Sequence, residues 1–191
     1  MNRKFNTDKE YRSLDFSSEA LEMADYENCR FIQCNFALSD LSERQFEDCS
    51  FDECDLSNAN ITHTAFRTVS FESCKLIGLQ FDTCNPFLLA MKFKKSILNF
   101  SSFFQLKLPG TVFSQCSIQE ADFSNANFNG ATFHECDLIG SMFDNTQLEK
   151  ADFYTATQFI IDPEKNKISE ARFSYENIEG LLTKYNIVLE R

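Results

Sequence analysis

The sequence predicts a repeat solenoid: one elongated domain with a continuous core. Three observations predict it: a large apolar residue at every fifth position, a small residue two places before each, and Gly or Asn at a fixed place after it. A period of five matches neither the 3.6 of a helix nor the 2.0 of a strand. The chain has 191 residues, enough for one domain and its core but hardly for two. Its composition carries the same signature, with 22 Phe and no Trp, 8 Cys, 5 Gly and 3 Pro. So skewed a Phe count means that one core position is used again and again.

Residues 1–15, with Phe5 and Tyr11, are expected to cap the N-terminal end, because an open end would expose unpaired backbone and apolar surface. The repeats fill 16–156. Large residues recur from Phe16 through Phe31, Phe36, Phe46 and Phe51 to Phe81, slip by two near 82–92, and run on from Phe93 to Phe153. Sixteen of the 22 Phe stand on this lattice. The second lattice, from Ala24 to Cys84 and from Met91 to Ala156, holds a small residue in 22 of its 27 places. Each unit therefore points one large and one small side chain inward and leaves three polar positions outside. Gly78, Gly110, Gly130 and Gly140, like Asn28, Asn58, Asn125 and Asn145, follow a large residue by two, so that place is a corner at positive φ. Arg44 breaks the small-residue pattern. An unpartnered inward guanidinium is too costly, so the coil is expected to bulge there and turn Arg44 outward, toward Asp40 or Glu43. Residues 157–191 close the chain with a turn at Asp162-Pro163, a helix over 174–185 capped by Ser174, and an apolar tail, Ile187-Val188-Leu189. Ile178, Leu181, Leu182 and Tyr185 have the spacing of one helix face.

The units, such as Ala121-Asp122-Phe123-Ser124-Asn125, have the pattern A/C-D/N-L/F-x-x, which resembles that of the pentapeptide-repeat family over roughly 16–156. The resemblance implies an all-β fold, a right-handed quadrilateral β-helix with four pentapeptides per coil and a short C-terminal α-helical cap. About 27 units would make roughly seven coils and a rod of about 33 Å, at ~4.8 Å per coil, with Phe31 stacked on Phe51 and Phe71. The end of the chain, Ile161 to Ile168 followed by Gly180-Leu181-Leu182, resembles the ends of the quinolone-resistance (Qnr-type) and microcin B17 immunity-type branch. In that branch a C-terminal cap of this sort joins two rods end to end. The resemblance thus implies a homodimer interface of Ile178, Leu181, Leu182, Tyr185, Ile187, Val188 and Leu189; the alternative is that these residues only cover the last coil.

Enzyme chemistry finds little purchase in the sequence. All eight cysteines (29, 34, 49, 54, 74, 84, 116 and 136) occupy the small inward place, so the metal-like spacings Cys29/Cys34 and Cys49/Cys54 read as apolar filler, and no metal or cofactor is expected. His63 and His134 lie on outward positions far apart, and carboxylate pairs such as Asp48/Asp52 sit on a convex exterior rather than in a cleft. No apolar run reaches the ~20 residues of a membrane span, and Met1–Glu10 has no signal-like stretch, so a cytoplasmic protein is expected.

What remains is charge. The net charge is −11, which argues against binding nucleic acid directly. It is unevenly spread: residues 25–82 carry −7, 83–119 carry +4 with no acid at all, and 120–153 carry −6. At 20 residues per coil, Glu27 should lie over Glu47 and Asp52 over Glu72, although like charges directly opposite are mildly unfavourable. The resemblance implies a non-enzymatic acidic binding protein, a DNA-mimicking modulator or protector of a type II topoisomerase (DNA gyrase or topoisomerase IV), linked to quinolone or gyrase-toxin resistance. Glu27, Glu47, Asp48, Asp52, Glu53 and Glu72, on two adjoining faces, are the expected contact. B-DNA of ~33 Å carries about 19 charges. The repeat region carries a net −9, a half-strength mimic, and the slip at Cys84-Asn85-Pro86-Phe87 leaves little room for the long loops of the resistance proteins. The alternative, of another class, is a protein-interaction scaffold whose partner has nothing to do with DNA.

Overall fold

The computed structural model describes residues 4–188 and residue 190. Each pentapeptide forms one short side of a four-sided coil, and coils stack in parallel with residue i beside residue i+20. On the first face, Lys4–Thr7, Ala24–Glu27, Gln45–Glu47 and Ala65–Arg67 pair in that order. The second face is the longest ladder, running from Glu10–Arg12 through Arg30–Ile32, Ser50–Asp52, Val69–Glu72, Met91–Lys94 and Val112–Ser114 to Thr132–His134. The third and fourth faces pair through single bridges, such as Asp15 with Asn35 and Asp122 with Met142. The register is 22 only across the slip, where Val69 meets Met91 and Gln80 meets Ser102. The fold is an all-β solenoid, as the sequence implies.

The core is a set of stacked columns. Phe31, Phe51 and Phe71 stack with centroids 4.8 and 5.1 Å apart. The column begins at Tyr11 and continues through Phe93, Phe113, Phe133 and Phe153 to Phe173, rings nearly parallel throughout. Neighbouring columns meet it edge to face, for example Phe103 against Phe113 at 5.9 Å and 86°, the arrangement an aromatic quadrupole favours. The corners are left-handed, as expected: Asn28, Asn58, Asn125 and Asn145 lie at φ 50–59° and Gly78 at 72°. Leu38, Glu43 and Phe100 take the same conformation, so stacking imposes the corner on residues that do not favour it.

The Asp or Asn of the motif has a local task. Its Oδ1 accepts the backbone N–H two residues on, at 2.9 Å from Ser42 to Asp40 and 2.8 Å from Ser124 to Asp122, tying down the turn. The small inward position has a task the sequence did not disclose. Its thiol or hydroxyl donates to the carbonyl 23 residues earlier: Cys29 to Asn6 at 3.2 Å, Cys74 to Phe51 at 3.2 Å, Thr64 to Leu41 at 2.8 Å and Thr146 to Phe123 at 3.0 Å.

Arg44 follows that same rule, and here the structure overturns the sequence expectation. The backbone does not turn it out; the residue is buried, 5% exposed. Its Nε and Nη2 donate to the Leu21 carbonyl 23 residues back, at 3.2 and 2.6 Å, and Nη1 donates to the Ser42 carbonyl at 3.1 Å. The inward neighbour one coil below is Ala24, small enough to leave room for the long side chain. Partnered in this way, an inward guanidinium is tolerable.

Both ends differ from expectation in form. The N-terminal segment covers the first repeats as one further turn of the solenoid, Lys4–Thr7 and Glu10–Arg12 pairing directly on the next coil. At the other end, bridges from Gln147 to Lys167 and from Asp152 to Arg172 carry the coils past 156, and the Asp162-Pro163 turn forms. The helix over 174–185 does not form. Only two short 3-10 turns do, Ile178–Leu181 and Thr183–Tyr185. Asn177 explains this, because its Nδ2 donates to the Phe153 and Ala156 carbonyls at 2.8 and 3.0 Å while its Oδ1 accepts the Ser174 N–H, so Ser174 caps nothing. Gly180 lies so close to the last coil that a Cβ there would sit 2.3 Å from the Phe159 carbonyl oxygen.

Candidate interaction surfaces

The six acids singled out in the sequence lie on the first and second faces and their corners. Glu27 pairs in register with Glu47, and Asp52 with Glu72, as the 20-residue spacing requires. Each stack ends on a cation one coil further on: Arg67 lies 3.5 Å from Glu47, and Lys94 lies 2.8 Å from Glu72. Lys94 holds the Glu72 carboxyl below the usual carboxylate range by donating a hydrogen bond to it. Arg30 reaches Asp52 at 3.6 Å, and Glu53 accepts the Gln33 amide at 2.8 Å. Glu27 and Asp48 make no ion pair among the described residues. Like charges are thus stacked and then buffered, and the patch is continuous but partly neutralised.

The fourth face carries acids that sequence reasoning passed over. Its segments 39–43, 59–63, 79–83, 101–105, 121–125 and 141–145 contain no Lys or Arg and hold Asp40, Glu43, Asp82, Asp122 and Asp144; one coil further on, Lys165 closes the row, 3.6 Å from Asp144. The Ser42 hydroxyl and N–H keep the Asp40 carboxyl below its ordinary pKa, so it stays charged. This face runs into the first at the corner residue Glu43. A count of cations face by face at the 20-residue period would have found it.

The apolar residues of the C-terminus divide into two groups. Leu181 and Leu182 pack back on the core. Ile178, Tyr185, Ile187 and Val188 stay exposed, Val188 at 85%, and Leu189 lies outside the described residues. The segment is held down by Lys184, 2.5 Å from Asp162 and 2.8 Å from Glu164, and by the Tyr185 hydroxyl, which donates to Glu164 at 3.0 Å.

All eight cysteines are buried and unpaired. Burial pushes the Cys49 thiol up to about 12, far from a reactive thiolate. Among the described residues no group of three or more His, Cys, Asp and Glu is placed to hold a metal ion. His63 is an exposed corner residue, and His134 faces solvent beside Thr155 and Glu135. No helix is long and apolar enough to cross a membrane, among the described residues.

No curated protein matches the sequence. Among solved structures, full-length QnrB1, a plasmid-mediated fluoroquinolone resistance protein, superposes with a TM-score of 0.57 at 15% identity, covering 96% of this chain and 100% of that one. HetL, a pentapeptide repeat protein involved in heterocyst differentiation regulation from the cyanobacterium Nostoc sp. strain PCC 7120, gives 0.56 at 16% identity, over 90% and 87% of the chains. At such identities the likeness is one of fold. The family model described as a pentapeptide repeat region matches residues 24–86 and 80–153. With that match over most of its length, and with five-residue sides stacked on a Phe core, the chain belongs to the pentapeptide repeat family.

Proposed function

We propose that the protein is a non-enzymatic acidic binding rod that occupies the basic DNA-binding groove of a type II topoisomerase, DNA gyrase or topoisomerase IV, and so modulates or protects that enzyme. The observation that carries this reading is the fourth face, acidic and without Lys or Arg in its segments from 39–43 to 141–145, which merges at Glu43 with the Glu27, Glu47 and Asp48 side of the first. Stacking fixes those carboxylates along a stiff rod, on four of the six named segments of the fourth face, and fixed negative charge is what a groove built for phosphates attracts. Asp52, Glu53 and Glu72 widen the contact onto the second face. The exposed C-terminal residues extend the rod by twofold pairing with a second copy, in the cytoplasm where such an enzyme works.

One observation favours the scaffold reading. The band 83–119, with four Lys and no acid, interrupts the acidic surface halfway along the rod. A partner unrelated to DNA could use both signs of charge.

Gyrase supercoiling and quinolone-stabilised cleavage assays with purified protein decide between the two. Inhibition of supercoiling or relief of cleavage, weakening steeply with salt and lost when Glu27, Glu47, Asp48 and Glu43 are reversed to Lys, is the expected result. Absence of both effects at low salt gives the scaffold reading its place.

A further inference from the structure

The two extra residues at the slip do more than shift the register. They bulge residues 86–89 outward between Asn85 and Ala90, whose N–H groups still donate to Thr64 and Phe66 of the coil below at 2.9 and 3.0 Å, so the first face keeps only the two ends of that rank. On the coils below, each corner N–H between the first two faces donates to the coil above: Asp8 to Glu27 at 3.1 Å, Asn28 to Glu47 at 2.9 Å and Asp48 to Arg67 at 2.9 Å. The next corner N–H, that of Thr68, makes no such bond among the described residues. Nor does the Lys107 N–H, on the coil above the gap, bond to the coil below, although Asn127 above it does so to Leu106 at 2.7 Å. Between these coils lies a cavity of about 500 Å³, floored by Leu89, Met91 and Leu108 and open to solvent beside Ala90 and Lys92. That volume falls in the range of ligand-binding clefts.

Its surroundings differ from the rest of the rod in charge. Lys92 lines the cavity and Lys107 stands next to Leu108 on its wall; both are exposed, and neither makes an ion pair among the described residues. Residues 83–119 contain no acid to neutralise them. Phe87 and Leu88 are exposed on the displaced segment, Phe87 lying under the Arg67 guanidinium at 5.7 Å. An apolar recess, two uncommitted ammonium groups and two unpaired backbone donors therefore coincide at the one break in the lattice.

We propose that this notch binds an extended acidic peptide segment of a partner protein. One apolar side chain would insert against Leu89, Met91 and Leu108, the flanking carboxylates would meet Lys92 and Lys107, and the peptide's carbonyls would accept the free Thr68 and Lys107 N–H groups. An exposed strand with unpaired backbone is a ready template for such addition, and side-chain pockets then set specificity. Charge complementarity selects an acidic partner, because a basic or neutral segment would leave both lysines unanswered. This notch lies on the first and second faces one coil beyond Glu47 and Glu72, so its occupant would be a second partner beside the acidic patch or a second region of the same one.

The test uses the full chain and a dye-labelled ten-residue peptide with one phenylalanine flanked by glutamates, read by fluorescence anisotropy. Binding is expected to weaken at least tenfold when the peptide's phenylalanine becomes serine, when Ala90→Phe fills the notch, and when Lys92→Glu reverses the charge beside it. In hydrogen exchange the Thr68 and Lys107 amides should gain protection with the peptide bound. Lys92→Glu is a surface change outside the core, so its effect survives any loss of folding by Ala90→Phe. Equal affinity for the serine peptide, insensitivity to both variants, or no binding at millimolar peptide would overturn the proposal. So would self-association, seen by light scattering, that Ala90→Phe abolishes, since a second copy would then be the occupant.

Discussion

At the residue scale, the inward small position is defined less by size than by what it donates. A thiol, hydroxyl or amide there reaches the carbonyl 23 residues back, and Arg44 is the long version of the same arrangement. Arg44→Met keeps the bulk but leaves the Leu21 carbonyl without its donors, so denaturant unfolding should show a loss of about 1.5–3 kcal/mol, the size of a charge-assisted bond. Cys74→Ala removes one weak bond and little volume and should cost ~1 kcal/mol or less, whereas Cys74→Leu overpacks a fully enclosed place and should cost ~1–3 kcal/mol. A thiol-reactive dye near neutral pH should label the native protein slowly at all eight cysteines, and quickly after denaturation. Fast labelling of most of them in the native state would contradict the burial seen here.

At the element scale, the coils were legible because a strict period of five, with large and small residues in alternate inward places, suits only a stack of short sides. Phe31, Phe51 and Phe71 could be set on one another from numbering alone, and Glu27 on Glu47 as well. The C-terminal segment was not legible, since Ile178, Leu181, Leu182 and Tyr185 satisfy helical spacing whether or not a helix forms. The deciding bonds, from Asn177 to Phe153 and Ala156, are tertiary and leave no mark on local periodicity. The notch was also hidden: the slip was visible in the sequence, but whether the extra residues bulge out or fold in depends on the coils above and below. Gly180→Ala tests the docking of the segment. With the Phe159 carbonyl 2.3 Å from the new Cβ, the last turns should lift off, costing ~1–3 kcal/mol and speeding tryptic cleavage after Lys184. The Asp162 carboxyl, lowered in pKa by hydrogen bonding from Lys184, supports the same docking. A depressed carboxyl stabilises above its unfolded pKa and releases that support as pH falls through the folded one. Peptic cleavage within the segment Ile178–Tyr185, measured with the pH held at each value, should therefore rise only below the usual carboxylate range.

At the scale of the whole molecule, the rod has two unlike ends, and the C-terminal one is the more apolar. Leu181 and Leu182 already cover the last coil, so that task does not account for Ile178, Tyr185, Ile187 and Val188, which remain in water. A patch shared by two identical chains closes most simply on a twofold axis, burying the same residues from both sides without leaving a free copy of the surface. Such closure would place two acidic fourth faces in one particle and roughly double the length of charge offered to a groove. The full-length protein is thus expected to behave as a dimer by light scattering and to give a maximum dimension in small-angle X-ray scattering about twice that of the single rod. Val188→Asp introduces a charge that must be desolvated in the interface and touches no core residue, so it should yield a folded monomer with an unchanged melting profile. Removal of 186–191 should give a monomer or an aggregating chain. A full-length protein that stays monomeric at high micromolar concentration would refute the dimer while leaving the acidic surface of each rod intact.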